Sequence, residues 1–368
     1  MRTSVPDLNW RDDGSMPRRG RLGAVLVAVA VIALCAAALI SIAGGAPSTS
    51  SVPLTPTEAA VDPGLVDVTA TLGPQGMISQ GTGMVLSPSG RVLTNNHVID
   101  GATSITVTDV GNGRTYRAAV TGYDSTHDIA VLQLADASGL RTVPLGSSAS
   151  PRAGQRVWAL GNAGGAGGMP SAATGTITGL DQSIIANDQA SGMSEQLNGM
   201  IQTSAPVQQG DSGGPLVDSA RQVIGMTTAV SAQYQLASPA TEGFAIPIGQ
   251  ALATATQIAD GKASATIHIG PTAFLGVEVV TGAVQVPGDP AAIGAGVADV
   301  TANSPAAGMG MSSGDVIVSI GGHTVASSAT VRSAMDQYHP GDRAVIRWAD
   351  PSGQVHSAAA VFTSGPAG

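Results

Sequence analysis

A chain of 368 residues is too long for one comfortable core and predicts about two domains with extensions. Hydrophobic residues make up 43% and charged residues 11%, and 49 Gly with 22 Pro favour turn-rich, all-β folds over helical bundles. A net charge of −9 without a basic stripe in the soluble part argues against a nucleic-acid partner, and the one cysteine, Cys35, excludes an internal disulfide or a cysteine-based metal site.

In chain order, residues 1–21 carry Arg2, Arg11, Arg18, Arg19 and Arg21, and Leu22 to Ala43 then run without a charge. At about 1.5 Å per residue, a helix of that length spans a hydrocarbon core of about 30 Å. The next basic residue is Arg91, so the positive-inside rule puts residues 1–21 in the cytoplasm and everything after the span outside. The expectation is a single-pass cell-membrane protein with residues 22–43 as its transmembrane anchor. Cleavage as a signal peptide competes, since Ala43 and Ala46 offer small-residue positions, but the apolar run exceeds a signal core of about 7–15 residues. Leu34 before Cys35 speaks against lipidation. Residues 44–62, rich in Ser, Thr, Pro and Ala, read as a disordered linker.

Residues 63–262 contain short β-type runs separated by turn residues: Met84 to Leu86, Val92 to Thr94, Ile105 to Val107, Ile129 to Leu132, Val157 to Leu160, Gly175 to Thr178, Val223 to Met226 and Gly243 to Ile246. Even spacing without long helices favours closed antiparallel barrels. A helix-compatible stretch, Ile248 to Ile258, leads through Asp260-Gly261-Lys262 to a second domain over residues 270–365.

The most informative string is Gly210-Asp211-Ser212-Gly213-Gly214-Pro215. A serine hydroxyl is a weak nucleophile, so acyl transfer needs an adjacent base and donors aimed at the developing oxyanion. Flanking glycines permit unusual backbone angles, so that the Gly210 and Ser212 N–H groups converge on one point. Alone, the string is an ordinary turn. The base is His97, at the end of a strand in Leu93-Thr94-Asn95-Asn96-His97-Val98-Ile99. Asp128 lies at the mouth of the apolar strand Ile129 to Leu132, where a buried carboxylate needs a partner, and His97 can provide one. His127 competes as base, but its side chain alternates to the opposite face from that of Asp128. His268, His323, His339 and His356 show no metal-like clustering and read as solvated or interfacial; no metal or cofactor is expected.

The order His97, Asp128, Ser212, with separations of 31 (128 − 97) and 84 (212 − 128), resembles the chymotrypsin-like fold. More specifically, Thr94 to Ile99, Asp128 to Leu132, Gly213-Gly214-Pro215-Leu216 and Gly243-Phe244-Ala245-Ile246-Pro247 resemble the HtrA (DegP-type) serine proteases over residues 63–365. The resemblance implies an all-β dominated fold: a double six-stranded β-barrel protease domain, then a PDZ domain of α+β type, behind one transmembrane helix. It implies an extracytoplasmic serine endopeptidase acting on misfolded or exported proteins, and a homotrimer. An alternative within the same family is a chaperone or peptide-binding protein whose protease domain is held at rest.

Departures from the family sharpen two expectations. Asp211 stands where the family has Asn, and it matches the residue that zymogen-activated trypsin-like enzymes pair with a new N-terminus. Here no free N-terminus is expected, so Asp211 should be solvated or hydrogen-bonded locally rather than ion-paired. Six residues before the nucleophile, where trypsin-like selectivity needs a carboxylate, stands Pro206. Val207 beside it, with Thr227, Thr228 and Ala229 on the opposite wall, predicts a pocket for small or medium aliphatic residues. In the second domain, Phe274-Leu275-Gly276-Val277 and Ser304 to Ile317 resemble the family's PDZ domain, which implies a peptide C-terminus bound at the Leu275-Gly276 turn and added as an extra strand.

Overall fold

The computed structural model describes residues 64–73, 76–146, 151–188, 194–228, 234–236 and 242–367. The segments 1–21, 22–43 and 44–62 assigned from sequence lie outside the described residues. Among the described residues no helix is long and apolar enough to cross a membrane.

The first barrel is built from β1 (Leu65–Leu72), β2 (Met77–Val85), β3 (Arg91–Thr94), β4 (Ala102–Asp109), β5 (Thr115–Asp124) and β6 (Ile129–Leu134), with the short helix α1 (Asn96–Ile99) after β3. All pairings are antiparallel in the order β5-β4-β1-β2-β3-β6, and β5 pairs with β6 to close the sheet. Alternation drives it: along β4, Ile105 and Val107 are buried while Ser104 and Thr106 are exposed. Val66, Val68, Val85, Val92, Val107 and Leu132 fill the interior with no exposed surface. Each such side chain contributes about 1.5–3 kcal/mol relative to exposure.

The second barrel uses β7 (Arg156–Gly161), β8 (Ser171–Asp188), β9 (Ser194–Thr203), β10 (Pro215–Asp218), β11 (Val223–Thr228) and β13 (Gly243–Pro247) in the order β8-β7-β10-β11-β13-β9, closed by β8 pairing with β9. Among the described residues each barrel thus has six strands, and each carries one more at its margin: β12 (Tyr234–Leu236) on β8 and β14 (Ile267–Ile269) on β5. Helix α2 (Ile248–Ala259) buries Ala251, Ala255 and Ile258 in a core shared by Leu93, Ile129 and Val131 of the first barrel and Met226, Phe244 and Ile246 of the second. That shared core fixes the seam between the barrels, where the catalytic candidates lie.

The C-terminal domain is a sheet ordered β16 (Val277–Val279), β18 (Asp289–Val300), β19 (Val316–Ile320), β21 (Arg343–Ala349), β22 (Val355–Val361). Short strands β17 (Val284–Val286) and β20 (His323–Thr324) pair with β18 and β19, and β15 (Ala273–Phe274) pairs with β23 (Thr363–Ser364). Helices α3 (Pro305–Gly308) and α4 (Ser328–Met335) cover it. Ser327 starts α4 with a capping box to Thr330, and Val331, Ala334 and Met335 pack on Ile317, Ile320 and Ile346. This domain is fastened to the first barrel: Tyr123 Oη donates to Asp336 Oδ1 at 2.9 Å, Arg332 pairs with Asp100, and buried His268 stacks between Tyr123 and His339. His268 is therefore interfacial.

Candidate active site

Strand β3 ends at Thr94, and the chain turns at once into α1, which carries His97. Asn95 braces the turn from below, its Nδ2 donating to the Asp128 carbonyl at 2.8 Å. Asp128 precedes β6 in the left-handed region at φ 55°, a conformation that Asp tolerates better than most residues because its short polar side chain bonds locally. Its carboxylate, 1% exposed, accepts from the His97 backbone N–H at 3.0 Å and from Thr228 Oγ1 at 3.0 Å. His97 Nδ1 lies 3.0 and 2.9 Å from the two carboxylate oxygens, and His97 Nε2 lies 2.9 Å from Ser212 Oγ. A carboxylate only accepts, so Nδ1 is the protonated nitrogen and the neutral ring presents its Nε2 lone pair to the serine hydroxyl. Three segments distant in sequence thus meet in one chain of hydrogen bonds.

The loop bearing Ser212 is held from several sides. Asp211 N–H donates to the Gln208 carbonyl at 3.0 Å, Gly213 N–H to the Thr227 carbonyl at 2.9 Å, and Gly214 N–H to the Asp211 carbonyl at 2.9 Å. Gly210 sits at φ 95°, and a Cβ there would stand 2.0 Å from the Asn162 carbonyl oxygen, so no other residue fits. The Gln209 carbonyl accepts from Gly164 N–H at 2.7 Å. Because the peptide is planar and trans, the Gly210 N–H points the opposite way, and it has no intramolecular partner among the described residues. That is the disposition expected of an oxyanion donor at Gly210.

Other expectations fare differently. Asp211 is not solvated: it is 2% exposed, Oδ2 accepts from Gln208 N–H at 2.9 Å, and Oδ1 is buried without a partner. The local hydrogen bond is present, and among the described residues no basic group pairs with Asp211. Burial pushes its carboxyl up to about 7 against the partial opposition of the Gln208 N–H. The unfolded chain then ionises Asp211 near pH 4 while the folded one keeps it neutral. Stability should therefore fall as pH rises from about 4 to about 7 and level off above, by about 4 kcal/mol in all. Urea denaturation across that range should show the decline in the wild-type chain and a flatter profile in Asp211→Asn. Asp67 and Asp336, also raised by burial, remain in both proteins. Parallel profiles would contradict this assignment.

Of the pocket residues, Val207 is half-buried beside the nucleophile loop, and Ala229 lies outside the described residues. The side chains of Thr227 and Thr228 do not line a pocket. Both are fully buried, with the Thr227 hydroxyl donating to the Asp211 carbonyl at 2.6 Å and the Thr228 hydroxyl to Asp128. They support the site from opposite faces of β11, Thr227 holding the nucleophile loop and Thr228 the triad carboxylate. His127 lies off the site with its side chain 43% exposed, its Nδ1 2.8 Å from Asp124 Oδ2.

In the second domain, Phe274 closes β15, Leu275 is buried, Gly276 turns at φ 86°, and Val277 opens β16. The Leu275 carbonyl accepts from Ala306 N–H and the Gly276 carbonyl from Thr301 N–H, both at 2.9 Å. Peptide planarity therefore turns the Gly276 and Val277 N–H groups away from those donors. Among the described residues, strand β16 ends the sheet, paired with β18 on one side only.

Comparison with known proteins agrees with both halves. The trypsin-like peptidase domain profile matches residues 81–226, and the PDZ domain profile matches residues 273–348. The chain is 34% identical to the serine protease PepD of Mycobacterium tuberculosis over 92% of its own length and 76% of PepD. It is 34% identical to the serine protease Do-like HtrB of Bacillus subtilis over 71% of this chain and 57% of that one. With the periplasmic serine endoprotease DegP of Escherichia coli K12 it shares 30% identity over 74% of this chain and 54% of DegP.

Proposed function

Because the chain belongs to the HtrA/DegP family of serine endoproteases, we propose that it cleaves unfolded or exported proteins outside the cytoplasm through a Ser-His-Asp acyl-enzyme mechanism. The observation that carries this reading is the continuous relay from Asp128 through His97 Nδ1 and Nε2 to Ser212 Oγ. Ser212 Oγ attacks the scissile carbonyl carbon as its proton passes to His97 Nε2. The carbonyl oxygen takes the negative charge and is met by the Gly210 and Ser212 N–H groups. Asp128 holds the imidazole and stabilises the imidazolium. The proton then goes to the leaving amine, and water, deprotonated by the same nitrogen, resolves the acyl-enzyme.

Further parts of the proposal rest on sequence and kinship. Residues 22–43 anchor the chain in the cell membrane with the catalytic part outside, supported by the five arginines before the apolar run. A homotrimer follows from the family resemblance. The Gly276 and Val277 N–H groups receive a peptide C-terminal carboxylate, and the open side of β16 accepts the peptide as an added strand. The bonded triad, with the Gln209 carbonyl turned onto Gly164, favours a peptidase over a chaperone held at rest.

Digesting one substrate protein in native and in reduced, alkylated form tests the reading. The unfolded form should be degraded and the native form spared. Mass spectrometry of the fragments should show new C-termini dominated by Val, Ala and similar aliphatic residues, because Pro206 supplies no carboxylate for a basic side chain. Predominant cleavage after Arg or Lys would contradict the specificity, and intact unfolded substrate would contradict the activity.

A further inference from the structure

We propose that Thr82 is a positioning residue, whose single hydroxyl anchors both backbone segments that hold the Gly210 N–H toward the oxyanion. The inference rests on the acyl-transfer reading above and extends it to a residue of the other barrel.

The placement begins with the string Gly81-Thr82-Gly83 in β2. A Cβ on Gly83 would press within 2.9 Å of the Val92 and Val66 side chains, so Gly83 faces the packed interior of the first barrel, while one on Gly81 would press within 2.8 Å of Val98 and 3.1 Å of the Ser212 carbonyl oxygen. Alternation therefore turns Thr82 the other way, across the seam toward the second barrel. It is 1% exposed there, and all of its polar groups are used. Thr82 N–H donates to the Ser212 carbonyl at 2.8 Å, and the Thr82 carbonyl accepts from Thr94 Oγ1 at 2.7 Å. Its hydroxyl donates to the Gly210 carbonyl at 2.7 Å and accepts from Asn162 N–H at 2.9 Å. A hydroxyl has one proton and two lone pairs, so both bonds form at once.

These two bonds converge on one degree of freedom. Gly210, at φ 95°, has no side chain to restrain it, so its orientation depends on the peptides on either side. The following peptide is fixed directly, through the Gly210 carbonyl on Thr82. The preceding one is fixed through the Gln209 carbonyl on Gly164 N–H, within the short turn Ala163–Gly165 that starts from Asn162. The Asn162 N–H is the group Thr82 Oγ1 holds. Asn162 in turn ties the loop together, its carbonyl accepting from Gly165 N–H at 2.8 Å and its Oδ1 from Gly167 N–H at 2.7 Å. Without the hydroxyl, both clamps on the Gly210 peptide loosen together. Substrate contacts and the bonds of the triad are left in place.

Thr82→Val keeps the shape and removes the hydroxyl; Thr82→Ser keeps the hydroxyl. With a peptide substrate, the valine variant should lose about 10- to 100-fold in kcat with KM within about 3-fold, since a misaligned oxyanion donor costs transition-state stabilisation. Its affinity for a peptide aldehyde, whose adduct on Ser212 places an oxygen in the same position, should fall in parallel, while affinity for the matching peptide amide stays unchanged. Thr82→Ser should restore kcat to within about 3-fold. Rates are referred to sites titrated by a serine-directed phosphonate, so unfolded molecules do not count. Wild-type kcat per titrated site in Thr82→Val, a loss confined to KM, or a serine variant as poor as the valine one would overturn the proposal. If the valine variant does not fold, Thr82→Ala is read by the same criteria, and failure of both to fold overturns a positioning role in favour of a structural one. Ser212→Ala separates the two claims: if it retains activity, the acyl-enzyme reading has failed, whereas a dead Ser212→Ala beside a fully active Thr82→Val rejects Thr82 alone.

Discussion

Replacing Ser212 with alanine should lower kcat by about 10⁶-fold, leaving only what substrate binding and the oxyanion donors achieve without a nucleophile. The loss is large because Ser212 and His97 act as one unit across a single 2.9 Å hydrogen bond, so removing either abolishes the same step. Fold and peptide binding should survive. Ser212 is 3% exposed, and its carbonyl, the group that receives Thr82 N–H, is backbone and stays in place. Turnover of a fluorogenic Val-terminated peptide, with thermal unfolding run alongside, measures both. Residual activity above about 1% in a folded Ser212→Ala protein would mean that another group carries the chemistry.

The second large effect is at Asp128. Asp128→Asn should cost about 10⁴-fold in kcat while the protein stays folded. The carboxylate accepts from three donors: the His97 backbone N–H, His97 Nδ1 and Thr228 Oγ1. An amide that turns its NH₂ toward the ring forces the imidazole proton onto Nε2, where it faces the serine hydroxyl proton instead of accepting it. An amide that turns its oxygen to the ring leaves its NH₂ facing the Thr228 hydroxyl, and it stabilises the imidazolium less. Raising the pH should not restore the wild-type rate, since the tautomer is wrong rather than the charge. A kcat within tenfold of wild type would show that Asp128 orients nothing essential.

Much of this site was legible in the sequence because its chemistry sits in short strings. Gly210 to Pro215 announces a nucleophile on a glycine turn, and the strand ends at Thr94 and Ile129 place a histidine and a carboxylate at barrel rims. What escaped depends on register across barrels rather than on neighbours in the chain. Thr228 looks like a pocket wall, but its hydroxyl is buried against Asp128, a residue of the other barrel. Thr82 looks like one more strand threonine between glycines, and only the closing of the seam puts it against Gly210 and Asn162. In strand β1, Val66, Val68, Ala70 and Leu72 alternate with Asp67, Thr69 and Thr71, and the polar phase is not all solvent-facing, because Asp67 is buried at the seam. Its buried carboxylate is accommodated because Oδ2 accepts from Gly168 N–H at 3.2 Å, contributed by the other barrel. For Asp211, the local hydrogen bond is the alternative of the two that the structure shows, with burial by the loop raising its carboxyl in place of solvation.

The folded chain is expected to make one hydroxyl unusually nucleophilic. Mass spectrometric mapping after brief exposure to a peptidyl phosphonate measures this directly. A single adduct on Ser212, formed rapidly in the wild-type chain and absent in His97→Ala, is the predicted result. No adduct, labelling spread over several serines, or equal labelling with and without His97 would contradict it.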